Sequence, residues 1–116
     1  MYDENNIFAK ILRSEIPCDM VYEDKKFLFF NDINPQAKIH ILGIPKMKVS
    51  NFENFILQAD AETVKNFFSK AYAIVVKKKI NKTGFKILTN SGKDGGQEVP
   101  HFHIHILGGE KLFHLR

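Results

Sequence analysis

The chain has 116 residues, of which 44% are hydrophobic and 26% are charged, and its formal net charge is +4 at pH 7. These values are typical of one globular domain, which we place at residues 1–116. No apolar run approaches the roughly 20 residues that a membrane-spanning helix needs. The polar, acidic start is unlike a signal peptide, and the single cysteine, Cys18, excludes a disulfide framework. We therefore expect a cytoplasmic protein with no membrane partner.

The excess of lysines raises the question of nucleic-acid binding. Lys77, Lys78 and Lys79 lie together at the end of a predicted helix, where cations complement the helix dipole. The other lysines are scattered, and no basic stripe interleaved with aromatic residues is present. We therefore predict no nucleic-acid partner, although a mildly positive surface favours the approach of a small anion.

Hydrophobic periodicity and breaking residues predict one short helix, one long helix, a candidate helical piece between them, and a set of strands. In chain order, the predicted elements are a short helix at 6–13, strands at 20–23, 27–31 and 39–45, the helical piece at 52–58, the long helix at 61–79, and strands at 84–90 and 98–107. This order lacks regular alternation of strand and helix, which indicates an α+β fold with a five-stranded, mainly antiparallel sheet. A loop of about seven residues joins the last two predicted strands, as in a wide hairpin.

The long helix has the clearest pattern in the chain. Asp60 precedes it and is the predicted N-cap, because a carboxylate there can accept from the free N–H groups of the first turn. One apolar stripe runs along the helix and predicts the face that meets the sheet. The stripe consists of Val64, Phe67, Phe68, Ala71, Ile74 and Val75.

Three histidines occur at alternate positions of the last predicted strand: His101, His103 and His105. Alternate side chains of a strand point to the same face, so the three imidazoles are predicted to lie together. Imidazoles gathered in this way can act as nucleophile, as acid and base, or as metal ligands. The residues between them are predicted to pack on the long helix instead. They are Phe102, Ile104 and Ile106.

A glycine-rich loop, residues 91–97, leads into this strand. Glycines allow backbone N–H groups to approach an anion closely, and the side-chain amides of Asn90 and Gln97 suit phosphate oxygens. A glycine-rich loop alone is most often a turn, but its place before the histidines predicts a phosphate site. His40 is a fourth candidate, for which a half-buried structural role and a functional role are equally open.

The run from His101 to Leu107 resembles the signature of the histidine triad (HIT) superfamily, in which histidines alternate with apolar residues. Gly108-Gly109 follows the run as in the HINT branch of that family. The resemblance extends over nearly the whole chain. Other segments that fit are Ile7-Phe8, residues 32–37, residues 40–46, Asn90 and residues 94–97.

The resemblance implies an α+β fold whose two protomers form one continuous ten-stranded sheet, hence a homodimer. It also implies binding of purine nucleotides (AMP or GMP and their conjugates) and cleavage at the α-phosphorus. We expect no cofactor and no metal, because the donors that stabilise the phosphoryl charge are protein groups. In the HINT branch the typical substrates are nucleoside phosphoramidates, such as AMP joined to an amine. A neutral imidazole is a competent nucleophile near pH 7, and an amine leaving group needs a proton.

By position, the resemblance assigns roles to individual residues. His103 corresponds to the nucleophile, His105 to a phosphate contact, His101 to a support for the nucleophile's orientation, and His40 to a buttress of the triad. Asp32 corresponds to the carboxylate that holds the ribose hydroxyls. The other implied substrate-binding residues are Ile33 beside Asp32, the base wall of Ile7, Phe8, Ile11, Phe30 and Leu42, and the phosphate side of Asn90, Gly96, Gln97, Glu98 and Val99.

Two departures from the family pattern concern the leaving group. Glu98 stands where the animal HINT proteins have a serine, so the polar role of that serine does not transfer, although the Glu98 backbone N–H could still bind phosphate. The tail at residues 110–116 lacks the Trp-Pro-Pro ending of those proteins. Selectivity for the leaving group that depends on that ending does not transfer either.

Three alternatives to a phosphoramidase remain open at this point. One is a dinucleoside polyphosphate hydrolase, as in the FHIT branch. Another is a zinc-binding protein, because imidazoles at alternate strand positions can ligate zinc. The last is a nucleotide-binding regulatory module whose catalysis is vestigial. The sequence does not decide between adenine and guanine, and it does not name a physiological substrate or a protein partner.

Overall fold

A computed structural model describes residues 1–112 of the chain, so His114 and the last part of the tail lie outside the described residues. The elements in chain order are α1 (Ile7–Leu12), β1 (Asp19–Glu23), β2 (Phe27–Asn31), β3 (Ile39–Pro45), α2 (Phe52–Gln58), α3 (Ala61–Lys77), β4 (Phe85–Leu88) and β5 (Ile104–Gly108). The five strands form one sheet in the order β1-β2-β3-β5-β4. All four neighbouring pairs are antiparallel, which confirms the predicted α+β class.

The described residues contain three helices, where the pattern predicted one long and one short helix with a candidate piece between them. The piece is a regular helix, α2, because Asn51 accepts at its N-cap from the backbone N–H of Asn54. Asp60 caps α3 by accepting from the Thr63 N–H, as predicted. None of the helices within residues 1–112 is long and apolar enough to cross a membrane.

The last strand is shorter than predicted, and this changes the connection before it. β5 begins at Ile104 rather than at residue 98, so residues 89–103 join β4 to β5 in place of a seven-residue hairpin. Pro100 has no N–H to offer a ladder. The Phe102 N–H instead donates to the carbonyl of Val49, before α2. His101 and His103 therefore precede the strand that was predicted to carry them.

The two faces of the sheet bury two separate apolar clusters. Alternate side chains of β2 and β3 face α2 and α3, together with Phe102, Ile104 and Ile106, as predicted. The Phe67 ring of α3 lies at the centre of this cluster. It meets the rings of Phe27, Phe29, Phe55 and Phe102 at centroid distances of 5.3, 5.6, 5.5 and 5.8 Å. The intervening side chains of β2 and β3 face α1, and that side holds the cavity described next.

Candidate active site

A cavity of about 590 Å³ opens between α1, β2, β3 and the segment before β5. This volume suits a small-molecule ligand. Of the sixteen residues predicted for the site, His101 and Gln97 alone do not line the cavity. The lining therefore joins residues from positions 7 to 107 of the chain.

The apolar wall of the cavity is one packed cluster on the α1 side of the sheet. Phe8, Phe30 and Leu42 are buried in it, with Ile11 and Val99 packed against them. Ile7 also lines the cavity, and 43% of its surface is exposed. Sequence reasoning missed several other lining residues, because they belong to no motif and reach the cavity only through the fold, from the segment after α1, from the end of β2 and the turn after it, or from β4 and β5. These are Ile16, Pro17, Cys18, Asn31, Asn34, Gln36, Leu88 and Leu107.

His103 is held by a single main-chain hydrogen bond that determines its tautomer. Its Nδ1 lies 2.7 Å from the carbonyl oxygen of His101. A carbonyl only accepts, so Nδ1 carries the proton and Nε2 keeps its lone pair. The Phe8 ring packs edge-on against the imidazole at 4.9 Å. Burial lowers the pKa of His103, so the ring is neutral at pH 7 and the Nε2 lone pair is available.

His101 is fully buried behind the cavity wall. Its Nε2 donates to the carbonyl oxygen of Pro45 at 2.8 Å, so its Nδ1 must accept, and the Tyr2 hydroxyl donates to it at 2.6 Å. Burial, with a smaller contribution from the neighbouring His103, lowers the pKa of His101 to about 4. Both ring nitrogens are thus satisfied in the neutral form, and this histidine contacts His103 through its carbonyl oxygen rather than its ring.

His40 and His105 form a hydrogen-bonded pair in which His40 is the donor. The backbone N–H of Gln36 donates to His40 Nδ1 at 3.0 Å, which leaves the proton of a neutral His40 on Nε2. His40 Nε2 lies 2.9 Å from His105 Nδ1, and His105 therefore carries its own proton on Nε2. Burial lowers the pKa of His105 to about 4, with smaller contributions from His103 and His40. The histidine rings that line the cavity thus present one free lone pair, on His103, and one free N–H donor, on His105.

Asp32 lies beside this pair at the start of the turn after β2. Its Oδ1 accepts from the Asn34 N–H at 2.8 Å, and its Oδ2 lies 3.4 Å from His40 Nε2. Asp32, His40 and His105 each offer a ligand atom within 4.8 Å of the others. Two nitrogens that share a tetrahedral zinc stand roughly 3.3 Å apart, given bonds of about 2.0 Å. The 2.9 Å contact between His40 and His105 fits a hydrogen bond better than a shared metal.

Comparison with known proteins identifies the family of this chain. The HIT domain model matches residues 13–112. This chain belongs to the HIT family. An uncharacterized HIT-like protein of Rickettsia prowazekii is 43% identical over 99% of this chain and 96% of its own. The purine nucleoside phosphoramidase of Escherichia coli is 38% identical, over 94% of this chain and 91% of its own. A solved histidine triad protein of Clostridium difficile has a TM-score of 0.89 and 40% identity, and each chain is covered in full.

The glycine-rich loop of this HIT domain departs from its predicted role at Gln97. The Gln97 side chain donates to the carbonyls of Ser50 and Val99 at 2.6 and 2.9 Å, and accepts from the Gly92 N–H at 2.9 Å. Its amide is therefore used to hold the loop and does not reach the cavity. The Gly96 N–H is likewise taken, by the carbonyl of Lys93.

The end of the same loop keeps a free donor. The backbone N–H of Glu98 donates to no acceptor among residues 1–112. Glu98 is exposed and lines the cavity next to Val99. Asn90 also lines the cavity, while its Nδ2 donates to the carbonyl of Gly95 at 2.8 Å. The donors available to a phosphate here are therefore fewer than the loop composition predicted.

Proposed function

We propose that this chain is a hydrolase that cleaves purine nucleoside phosphoramidates at the α-phosphorus through a covalent nucleotidyl-His103 intermediate. The observation that carries the proposal is the hydrogen bond of 2.7 Å from His103 Nδ1 to the His101 carbonyl. It leaves the Nε2 lone pair of a neutral imidazole for attack on phosphorus. The name of the Escherichia coli relative, a purine nucleoside phosphoramidase, supports the same substrate class.

The reaction proceeds in two displacements. His103 Nε2 attacks the phosphorus, the P–N bond breaks, and the leaving nitrogen takes one proton from the solvent and departs as an amine. Water then attacks the same phosphorus and the P–Nε2 bond breaks, which frees His103. One water is consumed overall, because its oxygen stays on phosphorus and one of its protons balances the amine. His105 Nε2–H and the Glu98 backbone N–H are the donors that would stabilise charge on the phosphoryl oxygens.

The nucleoside half of the substrate fits the rest of the lining. The apolar wall around Phe8 and Phe30 suits a base. Asp32 can accept from two adjacent ribose hydroxyls, since its Oδ2 makes no contact shorter than 3.4 Å with a described residue. Its Oδ1 already fixes the turn at Asn34, which pre-orients the carboxylate.

The charges of the lining favour a phosphoramidate over a dinucleoside polyphosphate. Within residues 1–112, the formally charged lining residues are Asp32 and Glu98, both acidic, and neither Lys nor Arg lines the cavity. A polyphosphate carries several negative charges and would meet no fixed cation here. A nucleoside phosphoramidate, with one ester bond and one P–N bond at phosphorus, carries a single negative charge, which neutral N–H donors can stabilise.

Glu98→Gln is expected to reduce the preference for a phosphoramidate over a dinucleoside polyphosphate. Removal of one exposed charge near the leaving group should raise kcat/KM for diadenosine tetraphosphate about three- to tenfold relative to an AMP-amine conjugate, since such a charge is worth about 1 kcal/mol in water. Side-by-side turnover at low salt measures the ratio. Asp94→Asn, in the same loop but outside the cavity lining, is the matched control. An unchanged ratio in Glu98→Gln would count against selection by charge.

An activity assay after treatment with a chelator distinguishes the proposed mechanism from one that needs a metal. We expect turnover of a fluorogenic adenosine phosphoramidate to be unchanged after exhaustive treatment with EDTA, because every group in the proposed reaction belongs to the protein. Loss of activity that zinc restores would favour the zinc-binding alternative at Asp32, His40 and His105. Tight AMP binding without any turnover would favour a regulatory binding module.

A homodimer through β4 is part of the proposal. β4 is an edge strand, and its Phe85 and Ile87 pair with Gly108 and Ile106 of β5. Phe85 and Ile87 are 38% and 37% exposed, although both are apolar. An exposed apolar edge strand is a template for pairing with another chain. Two β4 strands joined in this way would give a sheet of ten strands.

Ile87→Lys is expected to convert the dimer to a monomer at micromolar concentration, because a charge on an edge strand opposes edge-to-edge pairing. Sedimentation velocity of the parent and the variant measures the change. Met20→Lys is the matched control, since Met20 is 56% exposed on β1, the opposite edge of the sheet. A parent that sediments as a monomer would remove the dimer from the proposal.

A further inference from the structure

Tyr2 makes a polar contact with the triad that the proposed chemistry does not use. Its hydroxyl donates to His101 Nδ1 at 2.6 Å, and its ring stands edge-on to the imidazole at 5.6 Å. The other nitrogen of His101 is occupied by the Pro45 carbonyl. Nδ1 of this fully buried ring therefore needs a donor, and Tyr2 is the residue that supplies it.

The segment that carries Tyr2 is held by hydrogen bonds and an ion pair to two other parts of the fold. The carbonyl of Asp3 accepts from the backbone and the side chain of Asn6, which caps α1. The Glu4 carboxylate lies 2.8 Å from the Lys48 ammonium, and the Glu4 carbonyl accepts from Arg13 at 2.9 Å. Tyr2 therefore reaches His101 from a backbone that is anchored to α1 and to the segment after β3.

We propose that Tyr2 is a positioning residue for the nucleophile, an inference that rests on the proposed function. The Tyr2 hydroxyl and the Pro45 carbonyl hold the His101 ring between them. The His101 carbonyl shares a peptide plane with the Phe102 N–H, which donates to Val49. The fixed His101 ring adds a second constraint on this peptide, and the carbonyl sets the direction of His103 through the bond of 2.7 Å. Tyr2 thus acts on the reacting nitrogen through His101, without lining the cavity itself.

Tyr2→Phe tests this role, because it keeps the ring and removes only the hydroxyl. We expect kcat to fall about tenfold, since small misplacements of a reacting group are costly, and KM to stay within about twofold, because Tyr2 does not line the cavity. Tyr22→Phe is the matched control. Its hydroxyl donates to Asp24 at 2.8 Å, away from the cavity, so its loss removes an equivalent bond and should leave kcat unchanged.

Nitrogen-15 spectra of the histidines give a readout that does not depend on turnover. In the parent, His101 and His103 should each show one neutral tautomer, protonated on Nε2 and on Nδ1 respectively. In Tyr2→Phe, we expect the His101 signals to average between tautomers and the His103 Nδ1–H signal to move or broaden. In Tyr22→Phe, both should match the parent.

The outcomes separate the two proposals. A Tyr2→Phe protein with parental kcat and parental His103 signals would overturn the positioning role. Equal losses of kcat in Tyr2→Phe and Tyr22→Phe would also overturn it, because they would reflect general destabilisation. A parent without phosphoramidase activity would remove the proposed function, and the His103 signals in Tyr2→Phe would then decide whether Tyr2 orients that ring.

Discussion

His103→Ala is expected to reduce turnover of an AMP-amine conjugate by at least about 1,000-fold, because the variant has no group that can form the covalent intermediate. Nucleotide affinity should stay within about tenfold, since the apolar wall and Asp32 are untouched. His103 is 5% exposed, so its removal opens a space next to the Phe8 ring. Steady-state kinetics and calorimetric titration with AMP measure the two effects separately.

Adding free imidazole to His103→Ala gives a second test of the assigned nucleophile. The space left in His103→Ala is of the right size for a free imidazole, which could accept the nucleotidyl group in place of the side chain. We expect millimolar imidazole to restore part of the lost turnover in His103→Ala and to leave the parent unaffected. His103→Gln fills the space and should not be rescued. Turnover of His103→Ala close to that of the parent would contradict the assigned nucleophile.

Lowering the pH from 7 to 4 is expected to remove about 3 kcal/mol from the free energy of unfolding through His101 alone. Burial lowers the pKa of this histidine from 6.5 to about 4. Between these two values the unfolded chain binds a proton that the folded protein does not. The contribution is therefore complete above pH 6.5, declines as the pH falls, and does not decline further below pH 4.

Urea unfolding at a series of pH values measures this contribution, and His101→Gln is the variant that should flatten the curve. An NMR titration of the parent provides a second measurement that does not require the variant to fold. We expect the His101 resonance to stay unchanged from pH 8 to pH 5.5. Titration of His101 near 6.5, as in an unfolded chain, would show that its burial and its bonds to Tyr2 and Pro45 are wrong.

Local pattern was sufficient for most of the fold. β2, β3 and α2 have the predicted bounds, because each is a short segment with its own periodicity and its own breaking residues. The error came at β5, where alternation of histidine and apolar residues predicted a strand from residue 98. The same alternation of side chains occurs in an extended segment that pairs with no strand, so it does not show where the strand begins. The Phe102 N–H donates to Val49, which is distant in sequence, and periodicity carries no information on such a partner.

The residues of the candidate site also fall into those that the sequence could predict and those that depend on contacts distant in sequence. Fourteen of the sixteen predicted residues line the cavity, largely because the family resemblance carried positions that local pattern could not rank. Gln97 was predicted as a phosphate donor from its side-chain chemistry and from its place in the family pattern, yet its amide donates to the carbonyls of Ser50 and Val99. Tyr2 was missed, since a tyrosine 99 positions from His101 gives no local signal. Both depend on contacts between distant parts of the chain.

The stereochemical course at phosphorus is the most direct test of the central claim, the covalent intermediate on His103. An adenosine phosphorothioamidate of single configuration would be hydrolysed in water enriched in oxygen-18, and the configuration of the labelled product determined by phosphorus NMR. Two successive in-line displacements, first by His103 and then by water, predict retention of configuration. Inversion would mean that water attacks the substrate directly, and it would contradict a nucleotidyl-histidine intermediate.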